Sequence, residues 1–168
     1  MAERKVLIIC QSIHHNNTLK IAKAIGNVLN AEIKKPSEVV QKELNKYDVI
    51  GLGSGIYLGK HHKNLLKFVD KSAGFKNKKV FVFSTSGISN NLNFPLNITN
   101  LAFHFHSPLK RKLIKKDAKF LGEFSCRGFD TYGFLRIIGG ISKGKPNKKD
   151  LAEAKNFAMK INKAIYQK

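Results

Sequence analysis

Residues 5–18 of this chain are KVLIICQSIHHNNT. The unbroken apolar run at 6–10 is typical of a strand that is buried on both faces of a parallel sheet. It stops at polar residues, and from Thr18 onward apolar positions recur at helical spacing, so the segment predicts a strand, a polar loop and a helix. Hydroxyl, amide and backbone N–H groups then meet at a helix N-terminus, which favours an anion. The alternative is an ordinary turn in which Asn17 or Thr18 only caps the helix.

Two later segments repeat this pattern. Residues 47–53 and 79–84 are further apolar runs that end in glycine or small polar residues. Residues 31–33 and 119–126 supply two more predicted strands, and the stretches between the strands and at the end of the chain have helical periodicity. This alternation predicts an α/β fold with a three-layer, doubly wound, five-stranded parallel sheet of order 2-1-3-4-5, formed by residues 1–168 as a single domain. Ligands of such sheets bind beyond the carboxyl ends of the first and third strands.

Four segments give weaker signals. Residues 36–44 have a weak helical pattern, and residues 109–116 are predicted to be helical. Residues 88–106 have no clean period and are interpreted as a long loop or a short helix. Residues 127–146 read as a long loop, and both loops are large enough to build a substrate pocket.

Composition limits the class of protein. With 168 residues and 42% hydrophobic content, the chain can form a substantial core. No apolar run is long enough to span a bilayer, and the first residues lack the apolar region of a signal peptide. Cys10 and Cys126 lie far apart and have no CxxC spacing, which predicts free thiols in a reducing compartment. A cytoplasmic location is therefore expected.

The charge is unusual for a globular domain. Lysine and arginine number 31 against 11 aspartate and glutamate, a formal net charge of +20. Such an excess points to polyanions or acidic partners. No aromatic-interleaved RNA motif or zinc-finger spacing accompanies it, so a solvated basic surface is favoured over nucleic-acid binding. The GxxxxGK[ST] motif of P-loop proteins and the GxGxxG fingerprint are also absent.

Taken together, the three strand-end loops resemble those of the flavodoxin family. Its first loop typically reads S/T-x-T-G-x-T, whereas here Ser12-Ile-His-His-Asn-Asn-Thr18 is one residue longer and lacks the glycine. The resemblance implies FMN, with its phosphate at the first loop and its ring between the second and third. Tyr57 is expected to stack on the ring. The implied cofactor-binding residues are Ser12, His14, His15, Asn16, Asn17, Thr18, Ser54, Gly55, Ile56, Tyr57, Gly59, Lys60, Ser84, Thr85, Ser86 and Gly87.

The same resemblance implies electron transfer, and the basic charge of the chain favours an acidic redox partner protein. The sequence GSGIYLGKHH at 53–62 is also similar to the flavodoxin-like protoporphyrinogen oxidases. An FMN-dependent oxidoreductase acting on a small-molecule substrate, protoporphyrinogen-oxidase-like or quinone-reductase-like, is therefore an alternative. A third alternative is a basic binding module without redox activity.

Histidines occur as close pairs, at 14 and 15, at 61 and 62, and at 104 and 106. No cysteine or carboxylate stands beside them at ligand spacing, so a metal site is disfavoured. His14 is expected to contact phosphate or substrate and could meet His61 at the sheet edge. His62 is expected to line a helix, and His104 and His106 are expected at the surface.

Overall fold

The computed structural model describes residues 4–88 and 105–166. Its strands are β1 (Val6–Gln11), β2 (Glu32–Lys34), β3 (Val49–Tyr57), β4 (Lys60–His61), β5 (Lys79–Ser86) and β6 (Lys119–Arg127). Its α-helices are α1 (Asn17–Leu29), α2 (Lys63–Lys71), α3 (Ser107–Ile114) and α4 (Lys148–Tyr166). Short 3-10 turns occupy Pro36–Glu38, Gln41–Lys46 and Gly133–Arg136.

Five of the strands form one parallel sheet of order β2-β1-β3-β5-β6, and β4 pairs with the end of β3 in an antiparallel hairpin. Apart from that hairpin, this is the predicted order 2-1-3-4-5, and the doubly wound fold is confirmed. The loops that follow β1, β3 and β5 consequently meet at one edge of the sheet. We call it the carboxyl edge.

Alternation along β1 explains the layers. Val6, Ile8 and Cys10 face a core that they share with α1 and α4. Leu7 and Ile9 face a second core, which includes residues of α2 and α3. Because each face of the strand is covered by helices, every position of the run must be apolar. The continuous run at 6–10 is therefore the direct signature of a central strand.

Glycine is required at position 53 by close packing on one of these faces. A Cβ atom built on Gly53 would lie 2.1 Å from the ring of Phe83 on the neighbouring strand. The Phe83 ring thus occupies the space that a side chain at 53 would need, and the aromatic ring and the missing side chain fill the core together.

Three predicted boundaries differ from the structure. The stretch at 36–44 forms two 3-10 turns separated by extended Val39 and Val40, in keeping with the helix-disfavouring β-branched side chains. β3 continues to Tyr57 and reverses into β4, so α2 begins at Lys63 and not near residue 61. α3 begins at Ser107; most of the loop predicted over 88–106 lies outside the described residues.

The long loop after β6 is more regular than predicted. Asp130 and Ile141 form an isolated antiparallel bridge, in which the N–H of each donates to the carbonyl of the other at 3.0 and 2.9 Å. The bridge closes the intervening residues into a compact excursion that contains the Gly133–Arg136 turn. No helix in the described ranges has the length and hydropathy needed to cross a membrane.

Candidate functional site

The first β–α loop turns without a glycine because two other residues adopt the left-handed conformation. His15 and Asn16 have φ values of 52° and 54°. Asparagine and histidine are among the non-glycine residues that tolerate this region. The pair supplies the reversal that a glycine usually provides, so the departure from the family pattern does not prevent a tight loop.

The N-terminus of α1 is left without a side-chain cap. Asn16 is the N-cap residue, and its side chain makes no capping hydrogen bond. The Thr18 hydroxyl is 2.7 Å from the Thr85 hydroxyl, and the Asn17 side-chain amide donates to the Phe129 carbonyl at 2.7 Å. The Asn17 and Thr18 side chains each bond to a residue outside α1, so neither serves merely as a helix cap. The Asn17 N–H donates to the His14 carbonyl at 3.3 Å, which leaves the N–H groups of Thr18 and Leu19 for an anion. No acidic residue lies in the first turn to repel one.

Two buried polar atoms at this loop have no hydrogen-bond partner within the described residues. They are the Ser12 hydroxyl and the Asn17 side-chain oxygen. A buried polar group without a partner costs about 1–3 kcal/mol. A phosphate would accept a hydrogen bond from Ser12, and a ligand hydroxyl could donate to the Asn17 oxygen. The loop thus fits a ligand that carries both groups, as the phosphate and ribityl chain of FMN do.

A cleft opens beside this loop at the carboxyl edge. Nine of the sixteen predicted cofactor residues line it: His14, Asn17, Thr18, Gly55, Ile56, Tyr57, Thr85, Ser86 and Gly87. The remaining lining residues, Ile13, Gly128, Phe129 and Asp130, were missed. The last three follow β6, which neighbours β5, so the predicted long loop after the last strand was the available signal.

Aromatic rings bound one side of the cleft. The ring centroid of Tyr57 lies 5.6 Å from that of Tyr132 and 5.9 Å from that of His14, at angles of 81° and 52°. Burial raises the pKa of the Tyr57 phenol, with a smaller contribution from the Asp130 carboxylate. Tyr57 therefore presents a neutral, half-buried aromatic ring, which suits stacking on a planar ligand.

The loop after β6 holds the first loop in place. The His15 ring packs on Phe129 at 4.4 Å, and its Nε2 lies 2.8 Å from the Thr131 hydroxyl. Gly128 allows the loop after β6 to lie close to Asn17, because a Cβ built at 128 would lie 3.0 Å from the Asn17 Cβ and 2.8 Å from its amide nitrogen. A side chain at 128 would therefore push against the residue that closes the anion-binding turn.

Ser54 and Ser84 lie behind the cleft, and their side chains do not line it. They are register partners on β3 and β5, and both are fully buried. The Ser54 hydroxyl is 2.9 Å from His61 Nδ1, and the Ser84 hydroxyl is 2.8 Å from His106 Nε2. The centroids of the two imidazole rings lie 5.1 Å apart, and the ring planes are tilted by 31°. The Ser54 hydroxyl also donates to the Gly55 carbonyl at 2.8 Å and accepts a hydrogen bond from the His62 N–H at 2.9 Å, so both serines are bonded within the fold.

The expectation that His106 lies at the surface was wrong, because it is only 5% exposed. His61 is also buried and its ring contacts that of His106, while His14 and His61 both line a second cleft. Burial lowers the pKa of both imidazoles, for His61 well below its ordinary value, and for His106 the nearby Glu123 carboxylate acts in the opposite direction. Both rings are therefore neutral near pH 7.

Two further predicted residues lie at the tip of the β3–β4 hairpin. Gly59 is at the turn between β3 and β4 with φ +75°. Lys60 follows it and lines the second cleft, which adjoins the first through Ile13, His14 and Tyr57. His62 caps α2, since its Nδ1 accepts a hydrogen bond from the Asn64 N–H at 3.2 Å. Across the described ranges, no three histidine, cysteine or carboxylate side chains cluster as metal ligands would.

A family profile for the flavodoxin domain matches residues 7–113, more than half of the chain. The chain belongs to the flavodoxin family. It is 47% identical to an uncharacterized protein of Methanocaldococcus jannaschii over 95% of its own length and 99% of the relative's.

Solved structures agree with this assignment at the level of the fold. A flavodoxin from the domain Archaea aligns over 97% of this chain and 99% of its own, with a TM-score of 0.67 and 19% identity. Rubredoxin oxygen:oxidoreductase from Desulfovibrio gigas aligns over 96% of this chain but 36% of its own, with a TM-score of 0.69 and 14% identity. The family implies a flavin cofactor, and the donor groups of the first loop are of the kind that bind a phosphate.

Proposed function

We propose that this protein binds FMN and transfers electrons through it. The observation that carries the proposal is the uncapped N-terminus of α1 beside the buried, unpartnered hydroxyl of Ser12. A flavin without a phosphate would leave these donors unsatisfied. FMN would supply reversible one- and two-electron redox chemistry, and this chain's residues would hold and tune it.

Each part of the cleft has a role in this proposal. The Ser12 hydroxyl and the first-turn N–H groups of α1 bind the phosphate. The Asn17 side-chain oxygen accepts a hydrogen bond from the ribityl chain, while its amide stays on Phe129. Tyr57 covers one face of the ring, and Ser86 and Gly87, which line the same cleft, border the ring. Together they orient the ring and exclude water from it.

Calorimetric titration with FMN and riboflavin tests the phosphate assignment. A hydrogen bond to a charged group contributes about 1.5–3 kcal/mol, and the phosphate would accept at least two such bonds. FMN should therefore bind at least about a hundredfold more tightly than riboflavin. Ser12→Ala should weaken FMN binding about tenfold or more and leave riboflavin binding unchanged. Ser37→Ala, in the Pro36–Glu38 turn, is the matched control. Equal affinities for FMN and riboflavin, or a preference for FAD, would refute the assignment.

The proposed electron partner is an acidic redox protein. Support comes from the excess of 31 basic over 11 acidic residues, which would steer an acidic partner toward this chain. The rate of electron exchange with a reduced acidic ferredoxin should fall steeply as ionic strength rises, because the Debye length shrinks to about 3 Å at 1 M salt. A salt-independent rate would argue against an acidic partner.

The second cleft favours one alternative, an FMN-dependent oxidoreductase. It adjoins Tyr57 and is lined by polar and basic groups, including His14, Lys60 and Lys63. A small anionic or quinone substrate could reach the ring from there. Steady-state oxidation of NAD(P)H with quinone or porphyrinogen substrates would distinguish the readings, since a pure carrier shows no such turnover. A protein that binds no added flavin would instead indicate a basic binding module.

A further inference from the structure

Exposed apolar side chains are concentrated at the carboxyl edge. Among the described residues, eleven large apolar side chains are exposed. Six of them lie on the first loop, the β3–β4 hairpin and the loop after β6: Ile13, Leu58, Tyr132, Phe134, Ile137 and Ile138. We call these six residues the apolar rim. An exposed apolar cluster of this kind marks an interaction surface.

The three loops form one surface. Ile13, Leu58 and Tyr132 line the same cleft. Ring contacts of Tyr132 with His14 and Tyr57, at 5.9 and 5.6 Å, tie the loop after β6 to the other two. Phe134 and Ile137 belong to or adjoin the Gly133–Arg136 turn within the excursion closed by the Asp130–Ile141 bridge. The rim is therefore carried on loops whose backbones are held in place.

Leu58 is the member of the rim that the fold explains least. It occupies the first position of a two-residue turn with φ +49°, followed by Gly59 at +75°. Such turns favour asparagine, aspartate or glycine, and a bulky residue is disfavoured there. The side chain is also 92% exposed, so no burial within the fold offsets the backbone cost. A leucine at this position can be stabilised only by a contact with a group outside the described residues.

Positively charged side chains lie among the residues of the apolar rim. Lys60 and Lys63 line the cleft with Leu58, and Arg136 lies in the turn between Phe134 and Ile137. Among the ion pairs of the described residues, none involves these three side chains. The adjacent carboxylate, Asp130, accepts a hydrogen bond from the Tyr132 N–H at 2.8 Å. The surface therefore offers apolar tips and unpaired positive charge at the same edge.

We propose that the apolar rim docks this protein on an anionic lipid surface. Lipid headgroups would meet Lys60, Lys63 and Arg136, while Leu58, Phe134 and Ile137 would enter the boundary of the acyl chains just below. Separate loop tips of 68–92% exposure suit a deformable lipid interface better than a rigid protein surface, which needs matching pockets. Docking would place the opening of the second cleft at the membrane, where the protein can reach an apolar redox substrate or a membrane-bound partner. The inference does not depend on flavin binding.

The chain contains no tryptophan, so a single introduced indole reports on the rim. L58W should show a blue-shifted emission with vesicles of phosphatidylcholine containing phosphatidylglycerol, and brominated acyl chains should quench it. Pure phosphatidylcholine vesicles should bind at least tenfold more weakly. M159W, on the exposed face of α4, is the matched control and should show neither response.

Substitutions separate docking from general charge attraction. In vesicle sedimentation, the double variant Leu58→Asn, Ile137→Ser should reduce partitioning onto anionic vesicles at least tenfold, with an unchanged circular dichroism spectrum. Undiminished binding of this variant would mean that the net charge alone attracts the protein, and would overturn the proposal. A response of L58W to an acidic ferredoxin but not to vesicles would assign the rim to a protein partner. A response to protein concentration alone would assign it to a second copy of this chain; either result overturns lipid docking.

Discussion

Burial of His61 and His106 predicts that the protein loses stability below neutral pH. Both imidazoles are held neutral in the fold because burial lowers their pKa. In the unfolded chain each would have an ordinary pKa of about 6.5. The unfolded state therefore binds more protons as the pH falls below about 6.5, and the free energy of unfolding decreases there. The stability linked to these groups is fully present above that pH.

The magnitude follows from the linkage relation. Between about pH 7.5 and 5.5, a histidine that titrates only when unfolded changes the free energy of unfolding by RT ln 10, about 1.4 kcal/mol. His61 should contribute this full amount. His106 should contribute less, since Glu123, whose carboxylate lies 3.5 Å from its Nδ1, favours the charged form. The pair should therefore account for between about 1.4 and 2.7 kcal/mol.

Urea unfolding of the wild type and of His61→Gln at both pH values provides the assay. Glutamine keeps a polar group within reach of Ser54 but does not titrate. The variant should be less stable at both pH values, yet its loss of stability on acidification should be smaller by about 1.4 kcal/mol. His15→Gln removes a solvent-exposed imidazole and is the matched control. An acid-induced loss in His61→Gln equal to that of the wild type would refute the reasoning.

Three further predictions follow from the site. Gly128→Ala should cost about 1–3 kcal/mol of stability by crowding Asn17, and it should also weaken FMN binding. Gly122→Ala should do neither, because its Cβ would lie no closer than 3.4 Å to Phe157. Thermal denaturation with and without FMN checks both variants. Lys60→Glu should lower the potential of the second one-electron step of bound flavin, by roughly 59 mV for a net change of about 1.4 kcal/mol, and high salt should reduce the difference in a redox titration. Burial raises the pKa of the Cys10 and Cys126 thiols to about 12. A thiol-reactive dye should therefore label both slowly in the native protein at neutral pH and rapidly in urea. Rapid labelling of the native protein would contradict this burial.

The sequence predicted the sheet well because the central strands are covered on both sides. The run at 6–10 must be apolar throughout when alternate residues serve two different cores, so it identifies a central strand without any knowledge of its neighbours. Strand order came from the rule for doubly wound sheets and from the family resemblance. The loops that follow β1, β3 and β5 were placed together for the same reason, and nine of the predicted residues do line one cleft.

The parts that the sequence missed depend on distant or unusual contacts. The hairpin after β3 was not predicted because leucine at position 58 is a poor residue for a turn with positive φ. His106, which precedes α3, is hydrogen-bonded in the interior to Ser84 on β5, 22 positions away. Phe129 reaches the first loop through a contact with Asn17 across 112 positions. Local patterns carry no information about such pairings.

The flavin content of the purified protein tests the central claim most directly. The protein should be yellow, and denaturation should release about one FMN per chain, identified by chromatography against FAD and riboflavin standards. If the protein is purified without flavin, it should bind added FMN and quench its fluorescence, because Tyr57 lines the cleft that is proposed to hold the flavin ring. A colourless protein that neither binds FMN nor quenches its fluorescence would contradict the account.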